Sequence, residues 1–104
     1  MYIVILVTVP SKGKARRIAE DILKKRLAAC VNILNNKIDS FFWWKGKIDR
    51  AREWLLAIKS KRRNTRQIIK TVKSLHSYDV PEIICLPIID GYKAYLDWID
   101  ESVG

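Results

Sequence analysis

Apolar residues recur at two spacings along this chain, and each spacing predicts a different kind of element. Stretches that are apolar on both alternating faces are typical of strands buried from two sides. Stretches with an apolar residue every three or four positions, and Lys or Arg between them, indicate amphipathic helices. The predicted order is strand, helix, two hairpin strands, helix, strand and helix, with strands at 2–9, 29–44, 48–60 and 82–89.

Polar residues mark where the predicted helices begin. Ser11 follows Pro10 and predicts the N-cap of the first helix. Asn64, with Gln67 three residues later, fits a capping box at the start of the second. A last short helix is predicted over residues 92–103. The apolar stripe of the first helix is formed by Ala15, Ile18, Ala19, Ile22, Leu23 and Leu27.

This order of elements predicts an α+β fold. Right-handed crossovers turn a β-α-β-β-α-β order into a ferredoxin-like sandwich, with both main helices on one face of the sheet. Residues 1–104 then form a single domain with an extra C-terminal helix. The other face of the sheet is also apolar, so we expect something to cover it.

The predicted hairpin is too long for a domain of this size. Sixteen residues from 29 to 44 extend roughly 50 Å, whereas such a domain spans only about 35 Å. Asn35 and Asn36 predict a kink or bulge in this strand, and Lys45-Gly46-Lys47 predicts the turn. The tip should therefore project and be covered by other copies of the chain; the alternative is a tip folded onto its own core. The aromatics assigned to this interface are Phe41, Phe42, Trp43, Trp44 and Trp54.

Charge is distributed unevenly along the chain. The net charge is +9, yet residues 77–104 carry six acidic groups and one basic group. Opposite charge on two parts of one chain suits pairing between subunits as well as phosphate binding. A nucleic-acid-binding module is an alternative, disfavoured because the aromatics cluster on the hairpin and not among the basic residues. The surplus of Lys and Arg also resembles the surface of heat-stable proteins.

Nothing in the sequence indicates a membrane protein or a disulfide framework. The apolar stretch at 1–10 is about half as long as a bilayer span and has no basic segment before it, so we expect a cytoplasmic protein without membrane contact. Cys30 and Cys85 lie far apart and form no close-spaced pair.

Five segments together resemble one family, the CutA divalent-cation tolerance proteins. They occur in order across nearly the whole chain: RLAACVNI at 26–33, WWKGKI at 43–48, EWLLAIKS at 53–60, LHSYDVPEII at 75–84 and YLDWI at 95–99. The resemblance implies a ferredoxin-like subunit in a tight homotrimer like that of the PII signalling proteins. It also implies a role in tolerance to copper and other divalent metals, with no obligatory cofactor and no enzymatic reaction.

The resemblance also implies candidate site residues. Cys30 and His76 match the family's characteristic cysteine and histidine, the candidate ligands for copper or another divalent metal. A metal ion or small anionic ligand is expected in clefts between subunits, where further family positions lie. In this chain these are Lys59, Tyr78, Glu82 and Trp98. Ser77 departs from the family pattern, in which Pro is usual beside the histidine.

Each candidate residue also has a purely structural interpretation. Cys30 beside two alanines is more often a small buried hydrophobic residue than a metal ligand. One His and two separated Cys fall short of the four ligands of a structural metal site, unless subunits share them. The cleft residues could equally form interface salt bridges or packing contacts. A signalling or assembly module without metal function therefore stays open beside metal tolerance.

Overall fold

The computed structural model describes the backbone of all 104 residues and the side chains of residues 1–34 and 38–104. The chain forms four strands and three α-helices, with a 3-10 turn before the second helix at Arg62–Asn64. Their bounds are β1 Tyr2–Val9, α1 Lys12–Lys24, β2 Cys30–Trp44, β3 Lys47–Lys61, α2 Thr65–Leu75, β4 Ile83–Ile88 and α3 Lys93–Ser102.

The strands form one antiparallel sheet in the order β2-β3-β1-β4. This order confirms the predicted ferredoxin-like fold, since the chain reaches each outer strand, β2 and β4, through a helix, and the hairpin joins β2 to the inner strand β3. β1 is central and pairs with β3 along its whole length, from Tyr2 opposite Lys61 to Val9 opposite Trp54. It pairs with β4 on its other side, from Tyr2 opposite Ile88 to Val7 opposite Ile83.

The hydrophobic core lies between the sheet and the two main helices. Because side chains alternate along a strand, one face of β1 and β3 points at α1 and α2 and is almost wholly buried. We call this the helix face and the opposite side the open face. The core comprises Ile3, Ile5, Val7 and Val9 of β1, Leu56 and Ile58 of β3, Ala15, Ile18 and Ile22 of α1, and Ile68 and Val72 of α2.

The first helix begins where predicted and ends earlier. The Ser11 hydroxyl accepts a hydrogen bond from the Lys14 amide at 3.1 Å, as an N-cap does. The helix stops at Lys24 in a Schellman motif, in which Arg26 adopts a positive φ of 57° and the Leu27 amide donates to the Ile22 carbonyl. Leu27 is therefore buried by this motif and not as part of the helical stripe, and Leu23, assigned to that stripe, is exposed.

The predicted capping box of the second helix is wrong. Asn64 is buried and makes no side-chain capping bond to the helix. Its amide group instead donates to the Leu27 carbonyl at 3.1 Å and to the Ser60 hydroxyl at 3.4 Å. The 3-10 turn directs this side chain inward, so Asn64 ties the chain after α1 to the end of β3.

The β2–β3 hairpin extends well beyond the rest of the sheet. Seven residue pairs, from Ile38 opposite Glu53 to Trp44 opposite Lys47, lie past the end of β1, a length of roughly 20 Å. The register shifts between Leu34 and Ile38, which confirms the irregularity predicted there. Lys45 and Gly46 both have positive φ, as a type I′ hairpin turn requires.

The hairpin tip is not folded back onto the core. Phe41 and Trp43, on one face of the ribbon, are 66% and 73% exposed, and Phe42 and Trp44 on the other face are also exposed. The alternative of a self-covered tip is therefore wrong for the single chain. Trp54 differs from these four, because it lies on the helix face and packs against the core.

The last helix covers one end of the open face. Asp100 of α3 accepts hydrogen bonds from Tyr2 and Lys61, which lie opposite each other at the ends of β1 and β3. Ile99 is fully buried beneath the helix. The remainder of the open face keeps exposed apolar side chains, including Leu34, Ile84 and Leu86.

Substituting Asn64 tests the observed role of this residue against the predicted one. Asp caps a helix about as well as Asn, so a capping role predicts little change for Asn64→Asp. In the observed structure this substitution would place a carboxylate oxygen, which can only accept, against the Leu27 carbonyl. It should therefore lower the free energy of unfolding by about 1 to 3 kcal/mol. Urea unfolding followed by circular dichroism measures this difference.

The matched control is Ser11→Asp at the N-cap of α1, where the side chain accepts a hydrogen bond from the Lys14 amide. This variant should stay within about 0.5 kcal/mol of the parent chain. Equal stability of Asn64→Asp and the parent would contradict the inward orientation of Asn64.

Candidate functional site

Cys30 lies in a small cluster on the open face, beneath α3. It pairs across the sheet with Lys59, and the Lys59 ammonium lies 4.0 Å from the Cys30 sulfur. Tyr95 neighbours the same sulfur, and burial, together with this thiol, raises the pKa of Tyr95. Trp98 stacks beside Tyr95 with ring centroids 5.4 Å apart. We call Cys30, Lys59, Tyr95 and Trp98 the thiol cluster.

A network at the end of the sheet fixes α3 over the thiol cluster. Hydrogen bonds from Lys61 and Tyr2 hold the pKa of Asp100 below its usual range. The same bond to Asp100 raises the pKa of Tyr2 to about 12. Past the helix, the Gly104 amide donates to the Arg26 carbonyl at 2.8 Å, and the Arg26 side chain donates to the Ser102 carbonyl. The aromatic wall of the cluster is thus held from both sides.

Chemically, the thiol cluster offers one soft sulfur donor, one cation and two aromatic rings. Cys30 is half-buried, whereas Tyr95 and Trp98 keep part of their surface exposed. A thiophilic metal ion could take the sulfur, and a small anion could take the ammonium. Cys30 lies on β2, an edge strand of the sheet, so a second molecule can approach the cluster from that edge.

His76 lies elsewhere and already uses both ring nitrogens. Nε2 is 2.7 Å from the Thr8 carbonyl, to which it must donate, and Nδ1 accepts from the Tyr78 amide at 3.1 Å. The ring is only 9% exposed. A metal ion at Nδ1 would have to displace the amide, so the structure gives His76 a structural role in one chain. These two bonds also hold the ring despite Ser77 beside it.

The predicted metal ligands are not brought together. Cys30 is level with Val4 through their shared partner Lys59, and His76 contacts Thr8, four residues further along β1. Four residues of strand correspond to about 13 Å. Among the described side chains, no three His, Cys, Asp or Glu residues come close enough to hold a metal ion. One chain therefore does not fit a resident metal, and any metal bound at Cys30 needs donors from elsewhere.

Beside His76, Tyr78 belongs to a second group of interacting residues. Its ring centroid lies 4.8 Å from that of His76, and its hydroxyl lies beside Glu53, a carboxylate only 5% exposed. Burial and the Glu53 carboxylate together raise the pKa of Tyr78 to about 12. We call Glu53, His76 and Tyr78 the carboxylate cluster.

The four predicted cleft residues fall into two places. Lys59 and Trp98 belong to the thiol cluster. Tyr78 belongs to the carboxylate cluster, and Glu82 is exposed just before β4, whose first residue pairs near the same end of β1. Glu53 and Lys59 lie on one face of β3 but six residues apart, which is about 20 Å. A single chain therefore does not join all four residues in one cleft.

Sequence reasoning missed Tyr95 and Glu53 as members of these clusters. Tyr95 falls within the predicted last helix, and only the packing of that helix reveals that it neighbours Cys30. Glu53 did carry a signal, because a lone acidic residue begins the apolar segment EWLLAI of β3. Buried carboxylates need a hydrogen-bond donor, so this position could have prompted a search for one.

Comparison with known proteins identifies the family. A family model for the CutA1 divalent ion tolerance protein matches residues 3–102. The chain belongs to the CutA family. It is 47% identical over 103 residues to the divalent-cation tolerance protein CutA of Archaeoglobus fulgidus, covering 99% of both chains.

Solved structures of CutA proteins share the fold closely. The A. fulgidus structure, described as a periplasmic divalent cation tolerance protein, has a TM-score of 0.95 at 46% identity, with full coverage of both chains. The structure of the Thermus thermophilus protein has a TM-score of 0.96 at 43% identity, also with full coverage. In this chain's described residues, no helix has the length and apolarity to cross a membrane. The compartment stays a prediction, since the A. fulgidus relative is called periplasmic.

Replacing Tyr78 with Phe tests the carboxylate cluster. The change removes the hydroxyl beside the buried Glu53 carboxylate, so the free energy of unfolding at neutral pH should fall by about 1 to 3 kcal/mol. Because the pKa of Tyr78 is raised on folding, its contribution is complete below about pH 10 and is lost as the pH rises towards 12. The difference in the free energy of unfolding between the parent chain and Tyr78→Phe should therefore narrow above about pH 10. Urea midpoints across this range measure it.

Tyr92→Phe is the matched control, because Tyr92 is largely exposed and its hydroxyl makes no hydrogen bond to any described side chain. It should unfold like the parent chain at every pH. A Tyr78→Phe protein as stable as this control at neutral pH would show that Glu53 does not depend on Tyr78.

Proposed function

We propose that this chain is a divalent-cation tolerance protein that works as a homotrimer, binding a metal ion or small ligand at clefts between subunits. The observation that carries the proposal is the thiol cluster, in which a soft donor and a cation lie beside an aromatic wall at the edge strand of the sheet. The proposed activity is binding and not catalysis, because Cys30 and His76 lie too far apart to act as a nucleophile and its base.

Exposed apolar surface supports the trimer. The hairpin tip exposes four large aromatics, and fully burying each of them would contribute about 2 to 3 kcal/mol. The open face adds Leu34, Ile84 and Leu86. Exposed patches of this extent typically mark interfaces between proteins. Copies that share their open faces and hairpins would bury both surfaces at once.

A trimer would also supply the additional donors that one chain lacks at the thiol cluster. Each copy supplies one thiol, so shared or neighbouring clusters multiply the soft donors available to Cu(I) or a similar ion. A cleft between copies could likewise join the Lys59 end of one chain to the Tyr78 end of another. Metal binding and the completed site then both depend on assembly. The protein is proposed to act in the cytoplasm.

Static light scattering tests the assembly. The chain has a mass of 12.1 kDa, and we expect a particle of three times that mass at micromolar concentration. Phe41→Lys with Trp43→Lys, which places two charges on one face of the ribbon, should shift the protein towards monomer. A monomeric parent protein would remove the basis of the proposal.

A Cu(I) titration tests the site. We expect saturable binding that weakens by roughly tenfold or more in Cys30→Ser, because the only soft donor of the cluster is lost. Cys85→Ser is the matched control, since Cys85 lies on the helix face at the β4 edge, and it should bind as the parent does. Equal affinity in all three proteins would assign the metal to adventitious sites and favour a signalling or assembly role.

A further inference from the structure

A pocket lies on the opposite side of the sheet from the thiol cluster. It opens where the 3-10 turn and the start of α2 approach the outer edge of β4, and its volume is about 590 Å³, within the range of small-molecule sites. Ile3, Cys85 and Pro87 form its apolar side. All three lie on the helix face, because Ile3 is a core residue and pairs directly with Pro87.

Three arginines line the other side of this pocket. They are Arg62 and Arg63 of the 3-10 turn and Arg66 of the first turn of α2. Arg62 and Arg66 line the same pocket although they belong to successive elements. No acidic residue is among the described residues that line the pocket. The site therefore concentrates positive charge against an apolar floor.

Within the described residues this charge is compensated only in part, since Arg63 lies near enough to Asp100 to help lower the pKa of that carboxyl. The ion pairs between described side chains involve none of the three arginines. Arg63 donates to the Gly104 carbonyl at 3.1 Å, whereas the guanidinium groups of Arg62 and Arg66 make no hydrogen bond to any described group. The first turn of α2 contains no acidic residue, and Asn64 points inward. Neighbouring like charges repel, so a bound anion would stabilise this arrangement.

We propose that this pocket binds a small organic phosphate. A guanidinium group presents paired N–H donors that match phosphate oxygens, and Arg62 and Arg66 supply two such groups beside Arg63. The organic part of the ligand packs on Cys85 and Pro87, which are both exposed in the pocket. This site is independent of Cys30 and of metal binding. A CutA protein with both sites would bind an anionic ligand on the helix face as well as a ligand at the thiol cluster.

Calorimetric titration with inorganic pyrophosphate tests the proposal on the full chain. We expect saturable binding that weakens by roughly tenfold or more in Arg62→Gln with Arg66→Gln, since each lost charge-assisted bond contributes at least that factor. Arg16→Gln with Arg17→Gln is the matched control, removing the same charge from the exposed surface of α1. Equal weakening in both double variants, or no binding by the parent, would overturn the proposal. Absence of binding by the parent protein is also expected if a carboxylate of another copy fills the pocket.

Cys85 provides a second readout that needs no arginine variant. Its thiol is exposed and lines the pocket, so bound pyrophosphate should slow its alkylation by N-ethylmaleimide in a Cys30→Ser background. An unchanged alkylation rate at saturating pyrophosphate would place the anion elsewhere and reject the site. Loss of metal binding in the same background tests Cys30 alone, so the two proposals can fail separately.

Discussion

The unequal length of the strands is the constraint on which the rest of this structure depends. β2 and β3 each have fifteen residues, whereas the central strand β1 has eight. Antiparallel pairing can therefore satisfy only half of the hairpin within the sheet, and the other half must project. The projecting half carries aromatics on both faces, so it is the part of the molecule least suited to remain in water.

Alternation along the strands divides the molecule into two layers with different chemistry. The helix face is closed by α1 and α2, and the basic residues of those helices lie outside. The open face is covered only at one end, where α3 is held by Asp100 between Tyr2 and Lys61. The Cys30 thiol and the guanidinium groups of Arg62 and Arg66 are thus kept on opposite sides of one sheet.

The two clusters on the open face show how the same strands serve separate roles. β3 carries Lys59 beside Cys30 at one end and Glu53 beside Tyr78 at the other. His76 stabilises the return of the chain towards β4 by bonding to Thr8 and to the Tyr78 amide. Its position explains why a residue characteristic of the family need not contact a ligand in the single chain.

The sequence by itself determined the order of elements, the sheet faces and the projection of the hairpin, because strand and helix periodicities are local properties of the chain. The predicted Ser11 cap is local in the same way. Tertiary structure alone decided that Asn64 bonds to Leu27, that Tyr95 meets Cys30 and that His76 is held by Thr8. Each of these pairs joins residues far apart in sequence, so the contact depends on how helices and strands pack and leaves no periodic signal in the chain.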